Sequence, residues 1–559
     1  MALKKASVGA LSLAFVLLAS GCSGGNTTPT PNATNASDKP GEVSKKLEIS
    51  WVGQGARGKI EDNNKVQQMI EKKFNVKLTN RKLDVNNKEQ KNLMVASGEL
   101  PDFAFMDAPD KLYSDAVTRS ISKDMIMKYA PNYAKVLSDQ PTGWKVNQVP
   151  GKDGEYYAIT GYKQDWDNLT WGQVYRLDWM EKAGIKPKGE LVPVGTSGGA
   201  ERIFFSKEAF TLDEEQKMFE AFVNNDPDGN GKKDTYGLLL NNSDASWALN
   251  TVAGAFGFGW DYNLEENGKV VGSAISQNYK EFLKYMASLN KKGYIDPEFT
   301  TLNRAKSWEK FAAGKYGAAQ VQVQGAGMVP FTFNRPPANL ILKDPNAKFL
   351  FTPPPIGYKG QQGSAAYTPV DGFGYAMVIK KDVSDEKLAR ILQIFDYINL
   401  DKEGLMLTAF GEEGKDYSWE AAPYKSAVLP KQTAEADREK DGIGYYNLPI
   451  QLGDVNAYYS NAAVAKLTDM YFGADAGRNI AYRPFKWDYF NQTKYNELNT
   501  KYAAKLKTIT DEFLFKSITG ELDVDSAWDA YVKNWRSSGG EELLAELEKA
   551  PKVADLRKK

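Results

Sequence analysis

The chain has 559 residues, 42% hydrophobic and 25% charged, an ordinary globular balance with room for two or three domains. Its 71 basic and 71 acidic residues leave no positive excess to neutralise phosphates, which argues against nucleic acid as a partner. There is no histidine and a single cysteine, which excludes His-based triads, Cys-His catalysis, His-ligated zinc or haem, and any disulfide within the chain.

The chain opens with Lys4 and Lys5, then an apolar stretch from Val8 to Ala19. About a dozen residues cannot span a bilayer, which needs roughly 20, but they suit the core of a signal peptide over 1–21. The stretch ends in Leu18-Ala19-Ser20-Gly21-Cys22, small residues before the lone cysteine. This pattern predicts lipidation at Cys22, and hence anchoring at the outer face of the cell membrane; the alternative is an ordinary signal peptide with an incidental cysteine. Residues 22–45 are rich in Ser, Thr, Asn, Gly and Pro and predict a flexible tether. No later apolar run reaches 18 residues.

From Leu47 the pattern alternates. Leu47–Val52 predicts a strand. Val66, Met69, Ile70 and Phe74 recur at helical spacing. Val76–Leu83 predicts a second strand, Glu89–Ala96 a helix, and Asp102–Met106 a third strand, which together predict a parallel sheet with crossover helices. Further strands are expected at Thr235–Leu240, Tyr316–Val323 and Gly374–Ile379, and a hairpin at Asn267-Gly268. Helices are expected at Tyr279–Asn290, Leu388–Ile398, much of Tyr495–Phe515 and Glu541–Lys549. With no internal repeat and no second low-complexity linker, the body predicts one interwoven α/β unit of two lobes. The expected allotment is 46–160 with 315–378 in the first lobe, and 161–314 with 379–559 in the second.

The sharpest motif is Asp226-Pro227-Asp228-Gly229-Asn230-Gly231-Lys232-Lys233-Asp234. Asp226, Asp228, Asn230 and Asp234 fall on positions 1, 3, 5 and 9 of an EF-hand loop. Gly231 falls on the sharp turn at position 6, and the Lys232 carbonyl on position 7. Calcium, a hard cation taking six to eight oxygens, suits such a loop, and a structural calcium is the expected cofactor. Position 12 is Gly237, so the usual bidentate Glu is missing. The alternative is a solvated acidic turn.

Gly53-Gln54-Gly55-Ala56-Arg57-Gly58 follows a strand and matches a dinucleotide fingerprint, but the next helix is expected only after Asp62-Asn63, too late to meet a pyrophosphate. A glycine loop lining a cleft is the better reading. With 12 Trp, 29 Tyr and 26 Phe, flat faces on which sugar rings stack are abundant. Trp51, Asp107, Trp247 and Phe373 each lie near an end of a predicted strand, where open α/β sheets bind ligands. Trp179 and Trp528 sit among helical apolar positions and are expected in the core. No carboxylate pair stands out as an acid and base.

Several segments in order carry a family resemblance: Ala96-Ser97-Gly98-Glu99-Leu100-Pro101-Asp102, Tyr175-Arg176-Leu177-Asp178-Trp179 with Gly184, and the acidic loop followed by Thr235-Tyr236-Gly237-Leu238. Gly293-Tyr294-Ile295-Asp296-Pro297-Glu298-Phe299, Gly411-Glu412-Glu413-Gly414, Ile518-Thr519-Gly520 and Ala527-Trp528 continue the series. The sequence resembles the extracellular solute-binding proteins of ABC importers, in particular the large Gram-positive lipoproteins grouped with the family-1 sugar binders. The resemblance implies a two-lobed periplasmic-binding-protein-like α/β fold of class II strand order, with hinged lobes trapping a ligand for a membrane permease. It also implies a monomer without covalent chemistry, and a calcium loop like that of alginate-binding relatives. In those relatives an acid follows the last Asp of the loop, where this chain has Thr235. Lys186–Phe210 departs from the family pattern as an insertion. The expected ligand is an oligosaccharide, with peptides or modified sugars as other solutes. Two rivals are a surface carboxylate-dependent glycoside hydrolase or lyase, and a sensor partner presenting ligand to a membrane kinase.

Overall fold

The computed structural model describes residues 45–550, except 53–59, 84–86, 141–142, 163–170, 197–198, 243–247, 261–262, 323–335, 364–372, 420–427, 431–434, 447–465, 468–469 and 472–492. Two six-stranded sheets organise it. In the first, Leu47–Val52 lies between Val76–Asn80 and Phe103–Met106, all parallel. Phe373–Lys380 then runs antiparallel beside Phe103–Met106, and Thr118–Arg119 and Ile159–Tyr162 pair with it in turn. Three strands from the start of the chain followed by one from far downstream is the strand order expected of class II.

The second sheet is ordered Tyr236–Leu238, Tyr316–Gln322, Trp171–Arg176, Phe349–Thr352, Ile203–Phe205, Val192–Pro193. Trp171–Arg176 lies antiparallel between Tyr316–Gln322 and Phe349–Thr352, and all six of its residues are buried. A strand buried on both faces shows no alternation, which is why the periodicity did not mark it. The segment Lys186–Phe210 supplies the opposite edge, where Val192–Pro193 pairs antiparallel with Ile203–Phe205. Pro193, which has no N–H to donate, is tolerated there because it sits on an edge strand.

Each sheet has its own core. Around the first, the helix Asp385–Leu400 buries Leu388, Ile391, Leu392, Phe395 and Ile398. Its Asp396 carboxylate caps the helix Pro131–Asp139, accepting from the Tyr133 N–H at 2.8 Å and the Asn132 side chain at 2.9 Å. On the second, the helix Gln277–Lys291 buries Tyr279, Phe282, Leu283, Met286 and Leu289 against the C-terminal helices Thr493–Thr519 and Val524–Trp535. Trp179 and Trp528 belong to this core, as their helical spacing predicts. The hairpin at Asn267-Gly268 forms with both residues at positive φ, 52° and 77°.

The lobe allotment needs correction. Tyr316–Gln322 and Phe349–Thr352, expected in the first lobe, hydrogen-bond in the second sheet. Asp385–Leu400 and the residues around Tyr446, expected in the second lobe, pack in the first core. Strand pairing partners, and not position along the chain, decide membership. The two sheets together are the two-lobed α/β fold that the sequence predicts.

Candidate metal loop and ligand-binding residues

The acidic loop is held at both ends. Upstream, the helix Leu212–Asn224 starts from a capping box: the Thr211 hydroxyl accepts from the Glu214 N–H, and the Glu214 carboxylate accepts from the Thr211 N–H at 2.7 Å. Its Met218, Phe219, Phe222 and Val223 are buried, which fixes where the helix ends. Downstream, Tyr236–Leu238 pairs parallel with Tyr316–Gln322 in the register Tyr236 to Tyr316. Between them the Lys182 ammonium donates to the Pro227 carbonyl at 2.7 Å.

Within the loop, the Asp226 carboxylate accepts from the backbone N–H of Asn230 at 3.0 Å and of Gly231 at 2.9 Å. These bonds fold the chain back over Asp226, and the Gly231 N–H is the foremost reason that this carboxyl lies below its usual range. Gly231 takes φ 74°, the left-handed turn that position 6 requires. Asn230 donates from its amide to Asp228 and Asp234, both at 2.9 Å, while its own oxygen accepts from the Lys232 N–H at 2.7 Å. Asp228 Oδ1 is buried with no hydrogen-bond partner. The donor set is thus all hard oxygen, with one buried carboxylate oxygen free, and in its chemistry it fits calcium. Among the described residues, however, no three His, Cys, Asp or Glu side chains lie close enough together to hold a metal. Two of the carboxylates instead share Lys315, whose Nζ lies 2.7 Å from Asp234 and 3.1 Å from Asp228. Its hydrogen bond is the first cause holding the Asp234 carboxyl below its usual range.

Two neighbours of the loop have structural reasons. Thr235, which follows the last Asp of the loop, is buried and donates its hydroxyl to the Phe222 carbonyl at 2.7 Å, so it ties the strand to the helix. Gly237, at the place of the usual Glu, presses on the helix: a Cβ there would lie 2.6 Å from Phe219 Cβ.

The expected ligand-binding residues are not gathered into one described site. Trp51 is 3% exposed, and its ring packs on Phe103 with centroids 4.4 Å apart, a core contact that leaves no face for a sugar. Asp107 follows the strand Phe103–Met106 with a side chain 59% exposed, paired to the buried Lys91 at 2.6 Å. Phe373 opens the strand Phe373–Lys380. Trp247 and the glycine run 53–58 lie outside the described residues, as does Cys22. Just after Trp247, the helix Asn250–Ala255 is anchored to the second sheet: the Thr251 N–H donates to Gln320 at 3.0 Å and its hydroxyl to Gln173 at 2.8 Å. Gln173 and Gln320 are register partners within their two strands. Sequence spacing gave no sign of them or of Lys315, because each reaches its partner across more than sixty residues.

With the fold and the loop in place, the comparisons fall into line. No family model matches the chain. The chain is similar to the lipoprotein LipO of Bacillus subtilis (strain 168), 25% identical over 482 residues, covering 83% of this chain and 84% of LipO. It is also similar to the polygalacturonan/rhamnogalacturonan-binding protein YtcQ of the same organism, 25% identical over 497 residues, covering 86% and 87%. Among solved structures, the Streptococcus pneumoniae ABC-transporter substrate-binding protein FusA in complex with kestose superposes with a TM-score of 0.64 at 20% identity, covering 90% of this chain and 98% of FusA. The alginate-binding protein AlgQ2 without calcium ion superposes with a TM-score of 0.64 at 20% identity, covering 92% and 99%. The fold is that of the ABC-transporter substrate-binding protein FusA and of the alginate-binding protein AlgQ2.

Proposed function

We propose that the protein captures an oligosaccharide outside the cell and delivers it to an ABC-transporter permease. The observation that carries this reading is the similarity to the polygalacturonan/rhamnogalacturonan-binding protein YtcQ over more than four-fifths of both chains. The FusA–kestose structure, which covers nearly all of FusA, adds a sugar-bound example of the same fold. Delivery follows from the fold class: two lobes that close on a ligand give a permease a shape by which to tell loaded from empty. Trp247, Asp107 and Phe373 remain the proposed ligand-facing residues, and Trp51, in the core, acts by holding its strand. A panel of galacturonan, fructan and other oligosaccharides, titrated by calorimetry, tests the reading, with intact sugar recovered afterwards. Trp247→Ala should weaken the best ligand about ten-fold or more, the scale of a well-placed aromatic truncation. A panel with no binder, or turnover of the sugar, would overturn the proposal.

The loop Asp226–Asp234 is proposed to hold a structural calcium, with Asp226, Asp228, Asn230, Asp234 and the Lys232 carbonyl as its protein ligands. The free Asp228 Oδ1 supports this, as does a FusA structure described as an EF-hand mutant. Bound there, calcium would fix the turn between Leu212–Asn224 and Tyr236–Leu238, away from any sugar. Cys22 is proposed as a lipid anchor, in keeping with the lipoprotein name of one relative. Labelled fatty acid should enter the wild-type chain and not Cys22→Ser; equal labelling of both would place the anchor elsewhere.

A further inference from the structure

Lys315 is placed by the backbone, not by its own flexibility. Its carbonyl accepts from the Tyr236 N–H at 2.9 Å, and its N–H donates to the Lys310 carbonyl at 3.1 Å. Lys315 thus immediately precedes Tyr316–Gln322, level with the exit of the acidic loop, and its side chain is only 23% exposed. From there Nζ spans Asp234 at 2.7 Å and Asp228 at 3.1 Å. The third carboxylate, Asp226, turns instead to the loop's own N–H groups. The other lysines of the loop, Lys232 and Lys233, are exposed.

We infer that Lys315 is a built-in counter-cation of this loop, which shapes it when metal is absent and competes with calcium for Asp228 and Asp234. This rests on the calcium reading above and deepens it. A carboxylate oxygen that ligates calcium directly cannot keep an ammonium at hydrogen-bond distance without bringing two like-charged centres together. Lys315 bonds Oδ2 of both carboxylates, so calcium on the free Asp228 Oδ1 would still lie a few ångströms from the ammonium, and like-charge repulsion would drive Lys315 to swing outward, which its four-carbon stem allows. The cost of that displacement lowers the loop's affinity, and the gain is a loop that stays folded at low calcium. The missing position-12 carboxylate points the same way: with one acid fewer, a single ammonium goes further toward neutralising the loop.

The test compares the full chain with Lys315→Met and Lys315→Arg, each stripped with chelator. Calcium chloride is titrated by calorimetry, and melting is followed in chelator and in calcium. Lys315→Met should bind calcium at least about ten-fold more tightly, the scale of removing a like charge a few ångströms away. It should also melt below wild type in chelator, and recover in calcium. Lys315→Arg keeps the charge, so it should bind no more tightly than wild type. If wild type binds calcium and Lys315→Met matches it in both affinity and chelator melting point, this inference falls and the calcium reading stands. If no variant binds calcium yet Lys315→Met still melts lower in chelator, the calcium reading falls and the counter-cation role stands. Should Lys315→Arg tighten calcium as much as Lys315→Met, charge is not the determinant and the inference is overturned.

Discussion

The acidic loop after the helix Leu212–Asn224 and the buried Glu215 near the helix start treat carboxylates in opposite ways. At the C-terminal end, three aspartates crowd together and, Asp228 Oδ1 apart, are bonded by N–H groups, an amide and the Lys315 ammonium. At the N-terminal end, Glu214 caps the helix and pairs with Lys188 at 2.7 Å, and these contacts hold it below its usual range against its partial burial. Its neighbour Glu215 points the other way, into the core. It is fully buried, its one hydrogen bond comes from the Tyr175 hydroxyl at 2.6 Å, and Oε2 has no partner. A helix N-terminus favours anions by a few tenths to one kcal/mol. Burial of an unpaired charge costs far more, so Glu215 is pushed up to about 8. The lesson is that the nearest cation, and not the acid's place on the helix, decides whether it stays charged.

The largest effect should come from carrying the loop's chemistry into the core. Gly237→Glu restores the residue usual at position 12 of a calcium loop, so from sequence alone it should tighten calcium. The geometry predicts the reverse. The new Cβ would overlap Phe219, and overpacking of this kind costs about 1–3 kcal/mol. The carboxylate would add a buried charge facing the helix. Gly237→Glu should therefore lose more than about 3 kcal/mol in urea unfolding, with or without calcium. Gly237→Ala should show the steric part alone. If Gly237→Glu melts higher in calcium than wild type does, the strand has room to turn and the contrast between loop and core breaks down.

Much of this contrast could be read locally, and part could not. The spacing Asp226, Asp228, Asn230, Gly231, Asp234 is a property of nine consecutive residues, so the turn and its donors were legible at once. So were the strand at Leu47–Val52, which the structure matches end for end, and the hairpin at Asn267-Gly268. Lys315 lies 81 residues beyond Asp234, and only the parallel pairing of Tyr236 with Tyr316 brings it to the loop. Glu215 sits in the run Asp213-Glu214-Glu215 and reads as one more exposed acid of a first turn; its fate depends on Tyr175 from a strand that shows no alternation. The lobe boundaries failed for the same reason. The described chain passes between the two sheets after Tyr162, after Thr352 and after Tyr446, and no local pattern marks which sheet a later strand will join.

The smaller effect, and the sharper test, is the titration of Glu215. Glutamine has nearly the shape of a protonated glutamate, so Glu215→Gln keeps an oxygen for the Tyr175 hydroxyl and never charges. The titratable groups facing Glu215 are Tyr175 and Tyr285, both pushed well above their usual range by burial, and among the described residues no cation pairs with Glu215. Unfolded, Glu215 titrates near its ordinary 4.5; folded, near about 8. Between these values the folded chain holds a proton that the unfolded chain has released. Stability is full below the lower value, falls as pH rises, and levels off above the upper one. The slope is about 1.4 kcal/mol per pH unit, so wild type should be roughly 3 kcal/mol less stable than Glu215→Gln at pH 7. At pH 4.5 the two should converge. Urea unfolding across pH 4.5 to 9, with chelator present so that the loop is held constant, would follow the gap as it opens and then flattens. A gap that stays the same at every pH would mean that Glu215 is charged in the fold and that a cation reaches it after all.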